Sequence, residues 1–197
     1  MIKSFRGKDT QALFEGRCPR RWQAIRRVAE RKLIQLNAAA TLDFLRAPPG
    51  NRLEALKGDR AGQHSIRINE QWCVCFTWTA GDVFDVEIVD YHEGGVIMIK
   101  NSMRPIHPGE ILREDYMVPL GLSATALAHA LGVTPARIND IVRERRGITA
   151  DTALRLARYF GTDAQSWINL QTAYDLRVAK LAAGDAIDRV VKPRRAA

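Results

Sequence analysis

The sequence is poor in cysteine and has no long apolar run. Its three cysteines are Cys18, Cys73 and Cys75. No second closely spaced pair accompanies Cys73 and Cys75 to complete the four ligands of a structural zinc site, so we expect reduced thiols and no bound metal. No stretch approaches the roughly 18 apolar residues that cross a bilayer, and the N-terminus lacks the apolar segment of a secretory signal. These absences predict a soluble cytoplasmic protein with no membrane partner.

Acidic residues are outnumbered by basic ones. The 197 residues include 30 Lys and Arg against 22 Asp and Glu, a net charge of +8. The excess is evenly divided, at 15 − 11 = +4 for residues 1–92 and 15 − 11 = +4 for residues 93–197. This length suits one large domain or two small ones. The positive balance favours a polyanionic partner, because Lys and Arg that bind phosphates release counterions.

The first part of the chain has the apolar spacing of helices. Apolar residues recur at helical intervals from Trp22 to Leu36, which predicts a buried stripe. A second helical stretch ends before Pro48, because proline disfavours helix in the residue that precedes it. The other side of the first helix carries Arg20, Arg21, Arg26, Arg27 and Arg31. We favour a solvated helix face for this row, and contact with RNA phosphates or a protein partner is the alternative.

Beyond a loop that contains proline and glycine, the apolar period changes to two. The alternation over residues 66–88 predicts three antiparallel strands in a meander, with a turn at residues 80–82. The face that bears Trp72 should pack on the helices. The other face, which bears Arg67 and Cys73, is left free to form a surface. The first half of the chain is therefore predicted to be α+β.

The free face and the nearby strand end carry groups suited to RNA cleavage without a metal. That reaction requires activation of a ribose 2′-hydroxyl, stabilisation of phosphate charge and protonation of the leaving oxygen. His92 would exchange protons, Asp90 would orient it or an arginine, and Tyr91 would stack on a base or donate a hydrogen bond. The cations that would hold the phosphate are Lys57, Arg60 and Arg67. The alternative is that His92 is an ordinary surface residue.

Residues 1–92 resemble the HigB branch of the RelE-like toxins. The similar segments are Leu53–Gly62, Ser65–Asn69, Gln71–Trp72 and Asp90–His92. The resemblance implies a ribosome-dependent mRNA endonuclease that uses no metal or other cofactor. It also implies a catalytic surface that contains Lys57, Arg60, Arg67, Asp90, Tyr91 and His92.

Two positions depart from this family's pattern. Cys73 stands where the family usually carries an arginine that stabilises the scissile phosphate, and a thiol cannot replace a guanidinium group. Loss of one such donor costs about 2.7–4 kcal/mol, roughly 10²–10³ in rate, which predicts an attenuated nuclease. Glu54 stands where some relatives carry histidine, so proton transfer should depend more heavily on His92.

Cap residues define a pair of short helices in the second half. Ser123 is a good N-cap, Gly132 supplies a tight turn, and Thr134 followed by Pro135 opens the second helix. The pair resembles the helix-turn-helix of phage-repressor-like DNA-binding domains, although structural helix pairs can mimic it. Arg137 would read guanine. The candidates for contact with operator DNA are Thr134, Ala136, Arg137, Asn139, Arg143, Arg145 and Arg146.

Two further helices are predicted after this pair. Thr149 caps one that Gly161 ends, and the next begins at Asp163 and carries an apolar face from Trp167 to Val178. That face is core, or in part the seam of a homodimer, since paired recognition helices need a symmetric partner. Residues 183–197 are predicted to be a frayed basic tail.

Residues 98–182 resemble HigA antitoxins in two segments, Met103–Leu112 and Arg145–Leu156. The resemblance implies a dimeric repressor that binds its cognate toxin. We therefore interpret residues 1–92 as a RelE-like toxin domain, residues 93–97 as a linker and residues 98–182 as an all-α antitoxin domain. The expected partners are mRNA on the ribosome, operator DNA, and the toxin or antitoxin half itself in cis or in trans. The rival interpretation is a transcription regulator whose first half is a catalytically inactive interaction domain.

Overall fold

The computed structural model describes residues 1–90 and 103–192. Its first part contains α1 (Lys8–Phe14), a 3-10 helix (Arg20–Ile25), α2 (Arg26–Ala38) and α3 (Leu42–Arg46). These are followed by β1 (Glu54–Ala55), β2 (Gln63–Arg67), β3 (Trp72–Thr79) and β4 (Asp82–Asp90), with single 3-10 turns at Pro49–Asn51 and Gly58–Arg60. The α+β prediction is confirmed, while α1 and β1 were not predicted.

The four strands form an antiparallel sheet in the order β1-β2-β3-β4. Val74 and Phe76 on β3 are fully buried on the helical side of the sheet. Trp72 meets Trp22 edge-on, with ring centroids 6.0 Å apart. The predicted packing of the tryptophan-bearing face on the helices is therefore confirmed, and the opposite face of the sheet points away from α2.

The second part is entirely helical. It contains α4 (Pro108–Ile111), which continues as a π-helical turn (Leu112–Met117), then α5 (Ala124–Leu131), α6 (Pro135–Val142), α7 (Ala150–Phe160) and α8 (Ala164–Val190). Ser123, Thr134 and Thr149 each accept a hydrogen bond from the backbone N–H three residues later, as the N-cap predictions require. Gly132 and Gly161 adopt φ of 64° and 66°, the left-handed conformation expected where helices end. No helix among the described residues is long and apolar enough to span a bilayer.

The two parts of the chain share one hydrophobic core. The ring of Phe44 at α3 lies 5.6 Å from that of Trp167 on α8, and Tyr116 lies 5.1 Å from Trp167. The Tyr116 hydroxyl donates a hydrogen bond to the Phe44 carbonyl at 3.3 Å. Ser166 Oγ accepts from the Ala40 amide at 2.8 Å. The second half therefore docks on the ends of α2 and α3, away from the free face of the sheet.

Helix α8 differs from its prediction in two ways. It continues to Val190, so the chain is helical beyond residue 183, where a frayed tail was predicted. Gly184 costs about 1 kcal/mol in a helix relative to Ala, which the surrounding good helix formers tolerate. The predicted apolar face is core only in its first turns: Trp167 is buried, whereas Leu176 is 67% exposed. Residues 193–197 lie outside the described residues.

Candidate functional site

Two rows of side chains cross the free face of the sheet, which is less open than predicted: Ser65, Cys73, Cys75, Glu87 and Val89 are buried, and Arg67 is half-buried. Direct cross-strand pairing puts Arg67, Cys73 and Val89 in one row and Ser65, Cys75 and Glu87 in the next. Arg60 reaches this face from the neighbouring 3-10 turn and contacts Glu87. The structure thus brings two of the predicted catalytic cations, Arg60 and Arg67, to the surroundings of Cys73.

These two arginines differ in how firmly they are held. Arg60 Nη1 lies 3.0 Å from Oε1 of Glu87, a side chain that is 2% exposed. Arg67 Nη1 lies 3.0 Å from Oε1 of Glu70, which is 90% exposed. An exposed ion pair contributes only about 0–1 kcal/mol, whereas separation of Arg60 from Glu87 would leave a buried carboxylate without its counter-charge. Arg67 is therefore held less firmly than Arg60.

The thiols of Cys73 and Cys75 lie side by side, with their sulfur atoms 3.7 Å apart. The hydrogen bond from Cys75 lowers the pKa of Cys73; burial opposes this effect, and the positive charge of Arg60 supports it. The same hydrogen bond, together with burial, raises the pKa of Cys75 well above its ordinary value. Both residues are buried, and neither supplies the five-donor fork that an arginine would offer at position 73.

The other predicted catalytic residues do not join this cluster within the described residues. Lys57 is exposed on the loop after β1. Asp90 pairs across the strands with Trp72, so its side chain lies on the opposite face of the sheet from Arg67. Its Oδ2 accepts a hydrogen bond from Gln71 Nε2 at 2.6 Å. Tyr91 and His92 lie outside the described residues.

Glu87 is the member of this face that sequence reasoning missed. The apolar alternation of β4 through Val86 and Ile88 puts residue 87 on the free face, so the face on which Glu87 lies could be predicted from the sequence. Its contact with Arg60, which comes from a separate loop, could not.

A second site is the polar contact between the two halves. Asp115, in the π-helical turn, accepts hydrogen bonds from Arg31 Nε at 3.0 Å, Lys32 Nζ at 2.6 Å and Gln35 Nε2 at 2.7 Å. All four side chains are buried. Burial lowers the pKa of Lys32, an effect that the charge of Asp115 opposes. The solvated-face interpretation of the arginine row is wrong for Arg31, because a carboxylate 84 residues away covers it.

Beside Asp115 lies a second group of charges, in which Glu30 and Glu110 are buried and Arg104 is half-buried. Arg104 donates to Glu30 Oε2 at 2.9 Å and to both oxygens of Glu110 at 2.8 Å. Arg31 approaches Glu110 at 3.6 Å. Burial would raise the pKa of Glu110, but Arg104 and its arginine neighbours outweigh burial and lower it. These ion pairs tie α2 to the start of the helical half.

The predicted DNA-contact residues cluster on and after α6. Thr134, Ala136, Arg143, Arg145 and Arg146 are exposed, and Arg137 and Asn139 are half-buried. Arg137 Nη1 lies 2.6 Å from Asp151 Oδ2, and Arg145 Nη2 lies 2.7 Å from Asp140 Oδ1. Asn139 donates to the Pro135 carbonyl at 3.0 Å. Sequence reasoning did not identify Asp151.

No group of three or more His, Cys, Asp or Glu side chains is arranged to hold a metal ion within residues 1–90 and 103–192.

Comparisons with known proteins match both halves. A family described as the RelE-like toxin of type II toxin-antitoxin system HigB matches residues 3–92, and a helix-turn-helix family matches residues 113–167. Virulence-associated protein I of Dichelobacter nodosus is 74% identical over 81 residues, 41% of this chain and 75% of that protein. Antitoxin HigA-1 of Vibrio cholerae is 34% identical over 79 residues, 40% of this chain and 74% of that protein. A solved structure of Pseudomonas aeruginosa antitoxin HigA with the higBA promoter is 52% identical and covers 47% of this chain and 100% of that chain, with a TM-score of 0.46.

The fold and these matches define the class of protein: a RelE-like toxin domain followed, in the same chain, by a helix-turn-helix domain of the antitoxin type. The chain belongs to the HigB–HigA family of type II toxin–antitoxin proteins.

Proposed function

We propose that the chain is a toxin–antitoxin pair in cis, whose antitoxin half restrains the toxin half and represses its own promoter. The observation that carries this proposal is the buried contact of Arg31, Lys32 and Gln35 with Asp115. Separation of the halves would also expose to water the rings of Phe44, Tyr116 and Trp167, which pack across the same contact, and this exposure is costly. The tether also raises the local concentration of each half for the other. The docked chain is therefore the favoured state of the molecule.

The toxin half is proposed to be an endonuclease that cleaves mRNA on the ribosome without a metal. Arg67 would bind the scissile phosphate, with Lys57 and Arg60 adding positive charge nearby. Proton transfer is assigned to His92 and base stacking to Tyr91, and Asp90 would orient the imidazole. Because Cys73 lacks the donors of an arginine, the reaction should run about 10²–10³ more slowly than with a guanidinium at this position.

Cleavage is best tested in the full chain with docking loosened. Bacterial cells would express the chain with Asp115→Arg, which puts a third cation against Arg31 and Lys32, and the same chain with Cys73→Arg added. Growth and mRNA 5′ ends are measured, and circular dichroism of the purified proteins checks that both fold. We expect new 5′ ends and growth arrest with the added Cys73→Arg, and their loss when Arg67→Ala is added as well. Equal cleavage with cysteine and with arginine at position 73 contradicts the attenuation.

A second candidate function is favoured by the engagement of Arg60 with the buried Glu87. In this alternative the chain is a transcription regulator, and its first half is an inactive interaction domain. Absence of new mRNA ends both in the chain that retains Cys73 and in the chain with Cys73→Arg, together with intact operator binding, would support it over the nuclease.

The antitoxin half is proposed to bind operator DNA as a homodimer, with α6 in the major groove. Arg143, Arg145 and Arg146 would contact phosphates at the far end of α6, and Arg137 would read guanine through paired N–H donors. Binding to duplexes that carry the DNA upstream of the gene is compared with binding to unrelated duplexes. We expect Arg137→Ala to weaken the preference for the upstream DNA more than it weakens general affinity. A uniform loss on all sequences would reject the base-reading role.

A further inference from the structure

The guanidinium group of Arg137 is already oriented before any DNA is bound. Its Nη1 donates to Asp151 Oδ2 at 2.6 Å, which links α6 to the first turn of α7. In the part of the chain that the structure describes, the other side-chain N–H groups of Arg137 make no hydrogen bond. An arginine has five N–H donors in a fixed planar fork, so one edge remains available for two parallel bonds to another acceptor pair.

Asp151 is itself held in place from the other side. Arg155, one turn later on α7, has its Nε 3.1 Å from both carboxylate oxygens of Asp151. Arg155 Nη1 also donates to the Leu131 carbonyl at the end of α5, at 2.8 Å. The hydrogen bonds from Arg137 and Arg155 lower the pKa of Asp151. A continuous line of hydrogen bonds therefore runs from α5 through Arg155 and Asp151 to Arg137.

We propose that Asp151 is a specificity-determining positioning residue, which holds the Arg137 guanidinium in the orientation that reads a guanine in the operator. The proposal rests on the DNA-binding function proposed above for the antitoxin half. An arginine loses considerable side-chain freedom when it is fixed against a base, and a group fixed beforehand avoids that cost at binding.

The carboxylate of Asp151 has two opposing effects on DNA binding. Its negative charge opposes phosphates and lowers affinity for every duplex. Its bond to Arg137 sharpens the choice of one base pair. Removal of the charge should therefore raise general affinity and reduce discrimination at that base pair, a combination that loss of structure alone would not produce.

Asp140 provides a matched control for charge. It lies on α6 and pairs with Arg145 at 2.7 Å, close to the 2.6 Å between Asp151 and Arg137, but it does not contact Arg137 in the described structure. Asp140→Asn and Asp151→Asn each add one unit of positive charge near the same DNA surface. Only Asp151→Asn weakens the bond that orients the Arg137 guanidinium, because a neutral amide oxygen is a poorer acceptor than a carboxylate.

The experiment measures binding of the full chain to a duplex of the DNA upstream of its gene and to duplexes with single base-pair changes. The wild type is compared with Arg137→Ala, Asp151→Asn, Asp140→Asn and the Arg137→Ala/Asp151→Asn double variant. The base pair read by Arg137 is the one whose change no longer matters in Arg137→Ala. At that pair Asp151→Asn should reduce discrimination by about tenfold, within the range that one bidentate arginine contact supplies. The double variant should lose no more discrimination than Arg137→Ala alone.

The possible outcomes separate the positioning role of Asp151 from the DNA-binding function of the antitoxin half. Equal gains in affinity for all duplexes in Asp151→Asn and Asp140→Asn, with discrimination intact, would overturn the positioning role while leaving operator binding standing. Tighter binding to the upstream duplex at unchanged discrimination would overturn it too, since Asp151 would then only neutralise Arg137. Failure of the wild type to prefer the upstream duplex would instead overturn the proposed DNA-binding function. Restoration of discrimination in Asp151→Glu, whose longer carboxylate can still reach Arg137, would support the proposal.

Discussion

Removal of the Asp115 carboxylate tests the contact between the two halves most directly. The side chain is 4% exposed and holds Arg31 at 3.0 Å and Lys32 at 2.6 Å. Loss of one partner from a buried ion pair costs about 3–5 kcal/mol, because the remaining charge stays buried. Glu110 remains 3.6 Å from Arg31 and offsets part of that loss. We therefore expect Asp115→Ala to lower the free energy of unfolding by about 3 kcal/mol, the lower end of the range.

The loss should depend on pH. Burial holds the pKa of Lys32 below its ordinary value, so the penalty for its buried charge is fully present below the folded-state pKa and fades as the pH rises through it. In Asp115→Ala the opposing charge of the carboxylate is gone, which lowers that pKa further. The destabilisation should therefore be smaller at alkaline pH than at neutral pH.

The assay is urea unfolding of the full chain, followed by circular dichroism and tryptophan fluorescence. The matched control is Asp43→Ala, which removes an exposed carboxylate paired with Arg46 and should cost about 0–1 kcal/mol. A variant with Asp115→Leu, Arg31→Met and Lys32→Met should recover most of the stability, because apolar groups of similar volume often replace a buried ion cluster without loss. The reasoning is refuted if Asp115→Ala costs no more than the control, or if its cost is the same at neutral and alkaline pH.

Three further outcomes concern one residue each. Gly109→Ala would place a Cβ 1.8 Å from the Ile141 carbonyl oxygen, so α4 and α6 must move apart at a cost of about 1–3 kcal/mol or more in the same unfolding assay. The control is Gly50→Ala, which has open space around it and should change the free energy of unfolding little. The lowered pKa of Glu110 contributes stability that is present above the ordinary glutamate pKa and is lost as the pH falls through the lower folded-state value; urea unfolding across acidic pH should show this loss, and Glu110→Gln should remove it. Asp163→Ala removes the N-cap of α8 and should lower the free energy of unfolding by about 1 kcal/mol, which thermal unfolding would detect.

The sequence predicts those features that depend on neighbouring residues. Ser123, Thr134 and Thr149 cap helices because a short side chain can reach an amide only three positions away, so the pattern is visible in the sequence. The alternation on β3 and β4 likewise reports which side of the sheet each residue faces. These local rules predict the fold class and the positions of Arg67 and Cys73 on the free face.

The sequence does not predict contacts that depend on how the two halves meet. A row of arginines on a helix has the same pattern whether water or a carboxylate covers it, so the pairing of Arg31 with Asp115 could not be derived from spacing. Asp151 was missed for a similar reason, because it sits in the first turn of α7, where an acidic residue is explained by the helix dipole alone. Its contact with Arg137 exists only once α6 and α7 are packed together.

The two surfaces of the toxin half can be perturbed independently. The sheet packs one face on the 3-10 helix that precedes α2, as the contact of Trp72 with Trp22 shows, and the polar side of α2 meets Asp115. Arg67 lies on the other face of the sheet and remains 28% exposed while the halves are docked. Substitutions at Asp115 therefore change docking without touching the free face of the sheet. Cys73→Arg changes the free face without touching the contact between Asp115 and α2. Because the two effects are separable, comparison of chains that carry either change alone with a chain that carries both distinguishes a toxin that is restrained by docking from one that is disabled by its own cysteine.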